Sequence, residues 1–293
     1  MIMTEYSLLM LGTVQFGMDY GVANTHGKPD FETVKNILKE AFEGGVNALD
    51  TAPEYGSSEE VIGKALKELG LSDEFKIVTK IPGVPKDQDP EKFIENSLKN
   101  SLSRLQTETL AAALIHVEDD SIYLDILNGM KKKGLIRSAG ISLNTLARKD
   151  DGENADCLQV PCSLLDHRFD HCFDHGERHC FIRGAYLQGM LLMPEEKVFV
   201  KEVLPMRKKL EALGIPMAEL ALRYLFAKPG KRSVLTGVET LAQLRENVRI
   251  SKLPPLSADE LAEVEKIVFP PLEEICVSPW MWRRYKELHN ISG

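Results

Sequence analysis

The stretch VNALDTAPEYGSSEEVIGKALKELGLSDEFKIVTK, residues 46–80, decides the fold. It begins with a short apolar run at 46–50 and ends with another at 75–80. Between them, over 58–69, apolar residues recur at spacings of three and four, the period of an amphipathic helix. A helix flanked by two short buried strands is typical of a parallel β-α-β unit. The sequence therefore predicts such a unit here.

The same alternation of apolar runs and amphipathic segments continues along the whole chain. Eight alternations are present, which is the pattern of a parallel sheet covered by helices. The predicted strands are 8–12, 46–50, 76–80, 112–116, 136–142, 157–161, 180–184 and 233–237. The predicted helices lie near 31–44, 58–69, 90–105, 119–133, 196–213, 217–228, 240–251 and, after the eighth unit, 257–268. The segment 144–154 is too short and polar for a full helix, so we expect a turn there.

Composition indicates a folded chain with a full core. The 293 residues are 43% hydrophobic and 27% charged, which favours one large domain over residues 1–293. A net charge of −8 without a dense Lys/Arg block argues against nucleic acid or an anionic membrane as partner, so we expect a small-molecule substrate.

The sequence also bears on the cellular compartment of the protein. The N-terminus lacks a basic start, and no apolar segment is long enough to span a bilayer, so we expect a cytoplasmic protein. The five cysteines, an odd number at no framework spacing, are expected to be reduced thiols.

Four polar residues fall at or just beyond the ends of predicted strands. Asp50, Lys80 and His116 each close a strand, and Tyr55 follows five residues after the first of them. The carboxyl ends of parallel barrel strands meet at one rim, where active sites lie. A carboxylate, an ammonium, an imidazole and a phenol together can deliver a proton to a carbonyl oxygen as charge develops on it. Taken singly, each residue could instead cap a helix, solvate a rim or pack.

The sequence around these residues resembles that of a known family. The stretch ALDTAPEYGSSEEVIGKAL (48–66), followed by Lys80 and His116, closely resembles the aldo-keto reductase superfamily. The stretches at 11–24 and 181–192 resemble a bacterial branch acting on aldehydes or sugars. This resemblance implies a (β/α)8 TIM barrel, a nicotinamide cofactor across its C-terminal rim, and reversible hydride transfer to an aldehyde, ketone or aldose.

The resemblance also assigns roles within the catalytic tetrad. Tyr55 matches the proton donor, Lys80 and Asp50 its tuning pair, and His116 the group that orients the carbonyl. A free tyrosine has a pKa of about 10, and an adjacent ammonium favours the phenolate. We therefore expect Lys80 to lower the pKa of Tyr55.

The cofactor contacts implied by the resemblance are more widely spread. Ser142 and Gln159 match the residues that bind the nicotinamide carboxamide, although Leu143 stands where the family usually has Asn. Arg183 matches a group that stacks on the nicotinamide, with a rim ion pair as its alternative, and 184–189 match the loop around the pyrophosphate. The segment 236–248 resembles the adenosine-binding segment, with an ordinary capped helix as its alternative. The full cofactor set is Thr13, Ser142, Gln159, Arg183, Gly184, Leu187, Gln188, Gly189, Gly237, Glu239, Gln243, Glu246 and Asn247.

Glu239 bears on the choice between NAD(H) and NADP(H). A carboxylate there can accept hydrogen bonds from both ribose hydroxyls of NAD but would repel the 2′-phosphate of NADP. Lys231, Arg232 and Arg245 could offset that repulsion if they point inward. The sequence therefore modestly favours NAD(H) acceptance.

The substrate pocket is expected to include aromatic residues from both ends of the chain. These are Phe16, Tyr20, Trp280 and Trp282. Amphipathic aromatic side chains suit the walls of a sugar or aldehyde pocket. An equal alternative for the tryptophans is that they fix a C-terminal tail helix to the barrel.

The sequence also contains a run of evenly spaced histidines. His167, His171, His175 and His179 recur every four residues and could chelate a metal on a helix, but we expect an exposed connecting helix and no metal.

The competing function is a cofactor-sensing regulatory barrel with little turnover. The substrate, the direction of reaction and the oligomeric state are left open by the sequence.

Overall fold

The computed structural model describes residues 6–145, 154–174 and 176–291. Within them, eight parallel strands pair in sequence order and close into a barrel, because the last strand pairs with the first. The strands are β1 Leu9–Gly12, β2 Ala48–Asp50, β3 Lys76–Ile81, β4 Ala112–Ile115, β5 Ala139–Ser142, β6 Cys157–Pro161, β7 His179–Arg183 and β8 Lys231–Gly237. The predicted (β/α)8 barrel is confirmed.

Helices cover the barrel and extend beyond its eighth strand. They are α1 Val14–Gly17, α2 Phe31–Glu43, α3 Ser58–Leu69, α4 Pro90–Leu105, α5 Leu124–Lys132, α6 Val203–Glu211, α7 Met217–Phe226, α8 Leu241–Ser251, α9 Ala258–Val268, α10 Glu274–Val277 and α11 Trp282–Leu288. Short 3-10 helices occupy Glu118–Tyr123, Asp170–Asp174, Glu195–Lys197 and Pro279–Met281.

Local sequence sets the helix boundaries. The Asp30 carboxylate accepts from the Thr33 amide and begins α2, and Asp89 begins α4 in the same way through Lys92. Side-chain oxygens at these positions satisfy amides that have no partner inside the helix. The helix α3, which follows the loop carrying Tyr55, ends at Gly70 in the left-handed conformation.

The apolar core has two parts. The larger part lies between the strands and the surrounding helices. The smaller part fills the inside of the barrel and consists of Met10, Ala48, Val78, Ala112, Leu114, Cys157, Phe181 and Leu235, with Tyr6 packed against it. The interior is therefore a packed core, as in other barrels of this kind, and the chemistry has to lie at a rim.

Two predicted helices are wrong in part. The segment 196–213 forms a 3-10 turn, an irregular stretch and only then α6. Its buried residues Val198, Val200 and Val203 begin with a spacing of two, which does not suit a helix. Where a connecting helix was expected over 166–180, the described residues form a turn and a 3-10 helix, and from His179 they already belong to β7.

The predicted turn at 144–154 lies mostly outside the described residues. In the described part of the chain, none of the helices has the length and apolar character needed to cross a bilayer. The five cysteines are free and buried.

Candidate active site

Three of the four predicted tetrad residues continue the inner face of the barrel. Side chains of a strand alternate between its two faces, so residues two apart share a face. Asp50 lies two residues beyond the inward-facing Ala48, and Lys80 two residues beyond the inward-facing Val78. His116, just after β4, stands in the same relation to Leu114. The inner apolar layer is thus followed, toward the C-terminal rim, by a layer of polar groups.

Lys80 and Asp50 form a buried ion pair at this rim. The Lys80 Nζ donates to both carboxylate oxygens of Asp50 at 2.8 Å and to the Thr51 carbonyl at 2.9 Å. The side chains are 1% and 4% exposed. The Gln159 amide donates to Asp50 Oδ1 at 2.7 Å. Burial opposes the ammonium, but Asp50 and Tyr55 outweigh it, so the pKa of Lys80 is raised and its charge retained.

Tyr55 lies directly against this pair. The Lys80 Nζ is 4.7 Å from the centroid of the Tyr55 ring. Burial raises the pKa of Tyr55 above its ordinary value, while Lys80 acts in the opposite direction. The expected lowering is therefore wrong in its net sign, because desolvation of the phenolate outweighs the attraction of the ammonium. Tyr55 consequently keeps its proton at neutral pH, which a proton donor requires.

The main chain holds Tyr55 in place. A Cβ atom on Gly17, at the end of α1, would collide with the Tyr55 carbonyl oxygen. Gly56 has a φ of +58°, and a Cβ atom there would lie 2.6 Å from the Gly17 carbonyl oxygen. The two loops therefore meet backbone to backbone, and only glycine permits that approach.

His116 pairs with a residue that sequence reasoning missed. Its Nδ1 lies 2.5 Å from Glu54 Oε2. The rings of His116 and Tyr55 are 6.3 Å apart between centroids and nearly perpendicular. Glu54 immediately precedes Tyr55 in the stretch already singled out, and that adjacency was the available signal.

Three predicted cofactor residues lie at the ends of neighbouring strands. Ser142 on β5 pairs in register with Gln159 on β6, and both are buried. Arg183 ends β7 and donates to the Leu143 carbonyl at 2.8 Å and to Asn144 Oδ1 at 2.5 Å. Among the described residues, amide oxygens hold the guanidinium and no carboxylate pairs with it, so the rim ion pair is not seen there, and stacking on the nicotinamide stays a prediction.

The loop after β7 turns back over the barrel rim. Gly184, Leu187, Gln188 and Gly189 all have positive φ angles, between 48° and 88°. The Gln188 amide donates to the Tyr20 hydroxyl at 2.9 Å, which joins this loop to the one after β1. Within the loop, the Leu187 amide donates to the Gly184 carbonyl at 2.8 Å and the Gly189 amide to the Tyr186 carbonyl at 2.9 Å, so the loop is a series of tight turns.

The loop also contacts the helix that follows β8. The Tyr186 hydroxyl donates to Asn247 Oδ1 at 2.8 Å, and Asn247 is buried. Tyr186 thereby connects the loop after β7 to α8, on which the adenosine-binding segment was predicted.

At the end of β8, the exposed Gly237 lies beside the side chain of Gln15 on α1. Gly12 pairs with Gly237, and a Cβ atom on Gly237 would collide with the Gln15 side chain. Among the described residues, the buried Gln15 Oε1 has no hydrogen-bond partner. A glycine beside an orphaned buried acceptor fits a nucleotide that passes close to the backbone. Gln15 is therefore a second residue that sequence reasoning missed.

The remaining cofactor candidates near β8 have local partners. Gln243 Oε1 accepts from the Glu239 amide at 2.7 Å and takes part in the capping box with Thr240 that begins α8. Glu246 is exposed and pairs with Arg249. Thr13 is fully buried, and its hydroxyl donates to the Asp50 carbonyl at 2.8 Å. Thr13 thus fixes β1 against β2 at the rim.

The basic residues near Glu239 in sequence point elsewhere. Lys231 and Arg232 begin β8 and lie at the end of the strand opposite to Gly237, where Lys231 pairs with Glu177. Arg245 donates through two nitrogens to the Glu40 carboxylate on α2 at 2.6 and 2.7 Å.

The predicted pocket aromatics are not brought together on one surface. Phe16 is fully buried in the outer core. Trp282 is 4% exposed, donates from Nε1 to the Cys276 carbonyl and packs edge-on against Phe199. Trp280, in contrast, is 57% exposed.

A groove of about 730 Å³ adjoins α11. It is lined by Val22, Gln188, Phe199, Trp282 and Lys286, among others. Among the described residues that line it, none belongs to the tetrad. It brings the β1 loop, the β7 loop and the C-terminal helix together beside the candidate site.

The histidines do not form the predicted helical stripe. His167 bonds to the Leu164 carbonyl and the Tyr224 hydroxyl, whereas His179 on β7 bonds to the Ser233 hydroxyl and contacts Tyr6. His171 lies in the 3-10 helix, and His175 lies outside the described residues. The part of the chain that the structure describes contains no group of three or more potential ligands that could hold a metal ion.

The chain is similar in sequence and in fold to several known proteins. The chain matches the model of the Aldo/keto reductase family over residues 8–268. The Bacillus subtilis (strain 168) protein named uncharacterized oxidoreductase YqkF is 28% identical over 264 residues, which is 78% of this chain and 86% of the relative. D-arabinose 1-dehydrogenase of Saccharomyces cerevisiae is 27% identical, over 74% of this chain and 76% of that enzyme. The holo form of aldo-keto reductase AKR11C1 from Bacillus halodurans superposes with a TM-score of 0.74, at 25% identity over 91% of this chain and 94% of that one.

Proposed function

Because the chain belongs to the aldo/keto reductase family, we propose that it transfers a hydride reversibly between a nicotinamide cofactor and an aldehyde, ketone or aldose. The single observation that carries this proposal is the contact of Tyr55 with the buried pair of Lys80 and Asp50. A phenol held against a desolvated ammonium is suited to protonate a carbonyl oxygen or to take the proton back.

Each residue of the tetrad has a distinct part in this proposal. Tyr55 gives its hydroxyl proton to the reacting oxygen, and Lys80 stabilises the phenolate that remains. Asp50 holds Lys80 charged through two hydrogen bonds of 2.8 Å. His116 faces the same oxygen and orients it. The packed apolar layer below keeps the pair dry, which strengthens these interactions.

The cofactor residues are assigned on the fit of the rim. Ser142 and Gln159 would hold the nicotinamide amide, with Arg183 beside the ring. Residues 184–189 would hold the phosphates, and Gln15 with Gly237 would border the nucleotide on the β8 side. When bound, the cofactor supplies or accepts the hydride, and the protein supplies proton transfer and orientation.

We assign NAD(H) as a cofactor used at least comparably with NADP(H). Glu239 stands at the start of the segment expected to bind the adenosine, where a carboxylate repels a phosphate and suits two ribose hydroxyls. The basic neighbours that could offset this repulsion are engaged elsewhere, Arg245 by Glu40 and Lys231 by Glu177.

The cytoplasm is the compartment we assign, which the free, buried cysteines support.

The test is the removal of one oxygen atom. Tyr55→Phe should lower kcat by about 10² or more and leave cofactor affinity nearly unchanged, because the proton is needed only as charge develops. Turnover is followed by the nicotinamide absorbance with a panel of aromatic, aliphatic and sugar aldehydes. Tyr6→Phe is the matched control, since Tyr6 packs at the opposite end of the barrel interior.

Two results would contradict the proposal. Equal turnover in Tyr55→Phe and wild type would remove Tyr55 from the mechanism. Tight cofactor binding by the wild type with no turnover across the panel, in both directions, would instead favour a cofactor-sensing barrel.

A further inference from the structure

Gln15 carries an amide group that makes no hydrogen bond within the described part of the chain. The residue lies on α1, directly after β1, and is 7% exposed. Its buried Oε1 has no partner among the described residues, and its Nε2 donates to none of them. A buried polar group without a partner destabilises a fold, and native structures keep few such groups. The amide therefore calls for a partner from outside the chain.

The amide lies against open backbone at the C-terminal rim of the barrel. Gly237, at the end of β8, is exposed, and a Cβ atom on it would collide with both Nε2 and Oε1 of Gln15. The segment 236–248, where the adenosine is expected, begins beside this contact. The loop 184–189, where the pyrophosphate is expected, is joined by a side-chain hydrogen bond to the loop that follows α1. The amide thus lies between the two segments expected to hold the nucleotide.

The chemistry of this rim favours a phosphate as the partner of the amide. Phosphate oxygens only accept hydrogen bonds, and Nε2 is the donor end of the amide. The main-chain amides of Leu187 and Gly189 are already used within the turns of their loop, which leaves the loop fewer donors for a phosphate. Nearby basic groups are engaged as well, Arg183 by amide oxygens and Arg245 by a carboxylate on α2.

We propose that Gln15 is a binding residue for the cofactor pyrophosphate and that its neutral amide donates from Nε2 to a phosphate oxygen. The inference rests on the proposed function and adds to it a residue that holds the phosphates. NAD(H) and NADP(H) share the pyrophosphate, so Gln15 serves both alike, in contrast to Glu239. An apolar side chain of the same length would avoid the cost of the unpartnered Oε1. Removal of the amide should therefore weaken cofactor binding without weakening the fold.

The first experiment removes the amide and measures binding without any turnover. Gln15→Met should raise the Kd of NADH, followed by its fluorescence, by about tenfold or more, the effect of one hydrogen bond to a charged group. NADPH and ADP-ribose, which share the pyrophosphate, should lose affinity by the same factor, whereas adenosine should lose none. The melting temperature of the cofactor-free variant should equal or exceed that of the wild type. Gln88→Met, at an exposed glutamine, should change neither quantity.

The second experiment tests the same contact by a gain of affinity. Gln15→Lys places an ammonium where the neutral donor stood. At low ionic strength it should lower the Kd of NADH several-fold relative to the wild type. The advantage should shrink as salt is added, because salt screens the attraction between the ammonium and the phosphate.

Three results would overturn the inference. They are an unchanged Kd of NADH in Gln15→Met, an equal loss of affinity for adenosine, and a clear fall in the melting temperature of that variant, which would show a structural role. A Gln15→Lys protein that binds NADH no better than the wild type at low ionic strength would overturn it as well. Absence of turnover alongside intact NADH binding would count against the proposed function instead, and the Kd values would still decide the role of Gln15.

Discussion

The buried ion pair of Lys80 and Asp50 allows a quantitative prediction about stability. Both side chains are almost inaccessible, at 1% and 4% exposure, and their charges are 2.8 Å apart. Removing one partner of such a pair leaves an uncompensated charge in a desolvated site, which costs about 3–5 kcal/mol. Lys80→Met should therefore cost about that much, because Asp50 then keeps Gln159 as its donor but loses its counterion.

The double variant separates this cost from simple loss of packing. Lys80→Met combined with Asp50→Asn removes both charges, so no buried charge is left unpaired. We expect the double variant to be about 2–3 kcal/mol more stable than the sum of the two single effects predicts, the upper range of measured pair couplings. Lys266 and Glu263, an exposed pair on α9, provide the matched cycle, with an expected coupling below about 0.5 kcal/mol.

The assay is urea unfolding followed by fluorescence and circular dichroism together. Coincident transitions are required, since they justify a free energy for a chain of this size. Additivity of the two single variants within about 0.5 kcal/mol would refute the reasoning, because it would mean that the charges of Lys80 and Asp50 do not sense each other.

Two further predictions concern the cofactor and the C-terminal tail. Glu239→Ser should shift the ratio of kcat/KM values toward NADP(H) by about tenfold or somewhat more, as the repulsive carboxylate is lost; a strong wild-type preference for NADP(H) that the substitution leaves unaltered would contradict this. Trp282→Ala should lower the free energy of unfolding by about 3–5 kcal/mol, whereas the exposed Trp280→Ala should change it by no more than about 0.5 kcal/mol, and equal losses in urea titrations would show that burial does not distinguish them.

The barrel was predictable because its signals are local. Each strand is a short apolar run, and most helices with regular apolar spacing were found within two residues of their observed bounds. In the predicted helix 119–133, however, the first residues form a 3-10 helix, and α5 begins only at Leu124. The failures at 166–180 and 196–213 lie in the connections around β7, where tertiary contacts of Val198 and His179 override the local pattern. Spacing alone suggested a helix in both places.

The candidate site was predictable only in outline. Strand ends identified Asp50, Lys80 and His116, because side-chain alternation carries them inward. The pairing of Glu54 with His116 spans 62 positions and depends on how two loops approach each other, which no local pattern encodes. The sign of the pKa shift of Tyr55 also depended on burial, a property of the assembled rim.

The contact of Gly17 with Gly56 has a consequence for how this protein can diversify. Tyr55, the proposed proton donor, is located by the contact of two main chains and not by the packing of a side chain. The following residues of the β1 loop, Met18, Tyr20 and Val22, are instead 40–43% exposed. Within one short loop, contact with another main chain fixes the backbone at the glycine, while the side chains that follow are partly exposed. Substitution of those side chains therefore need not displace Tyr55.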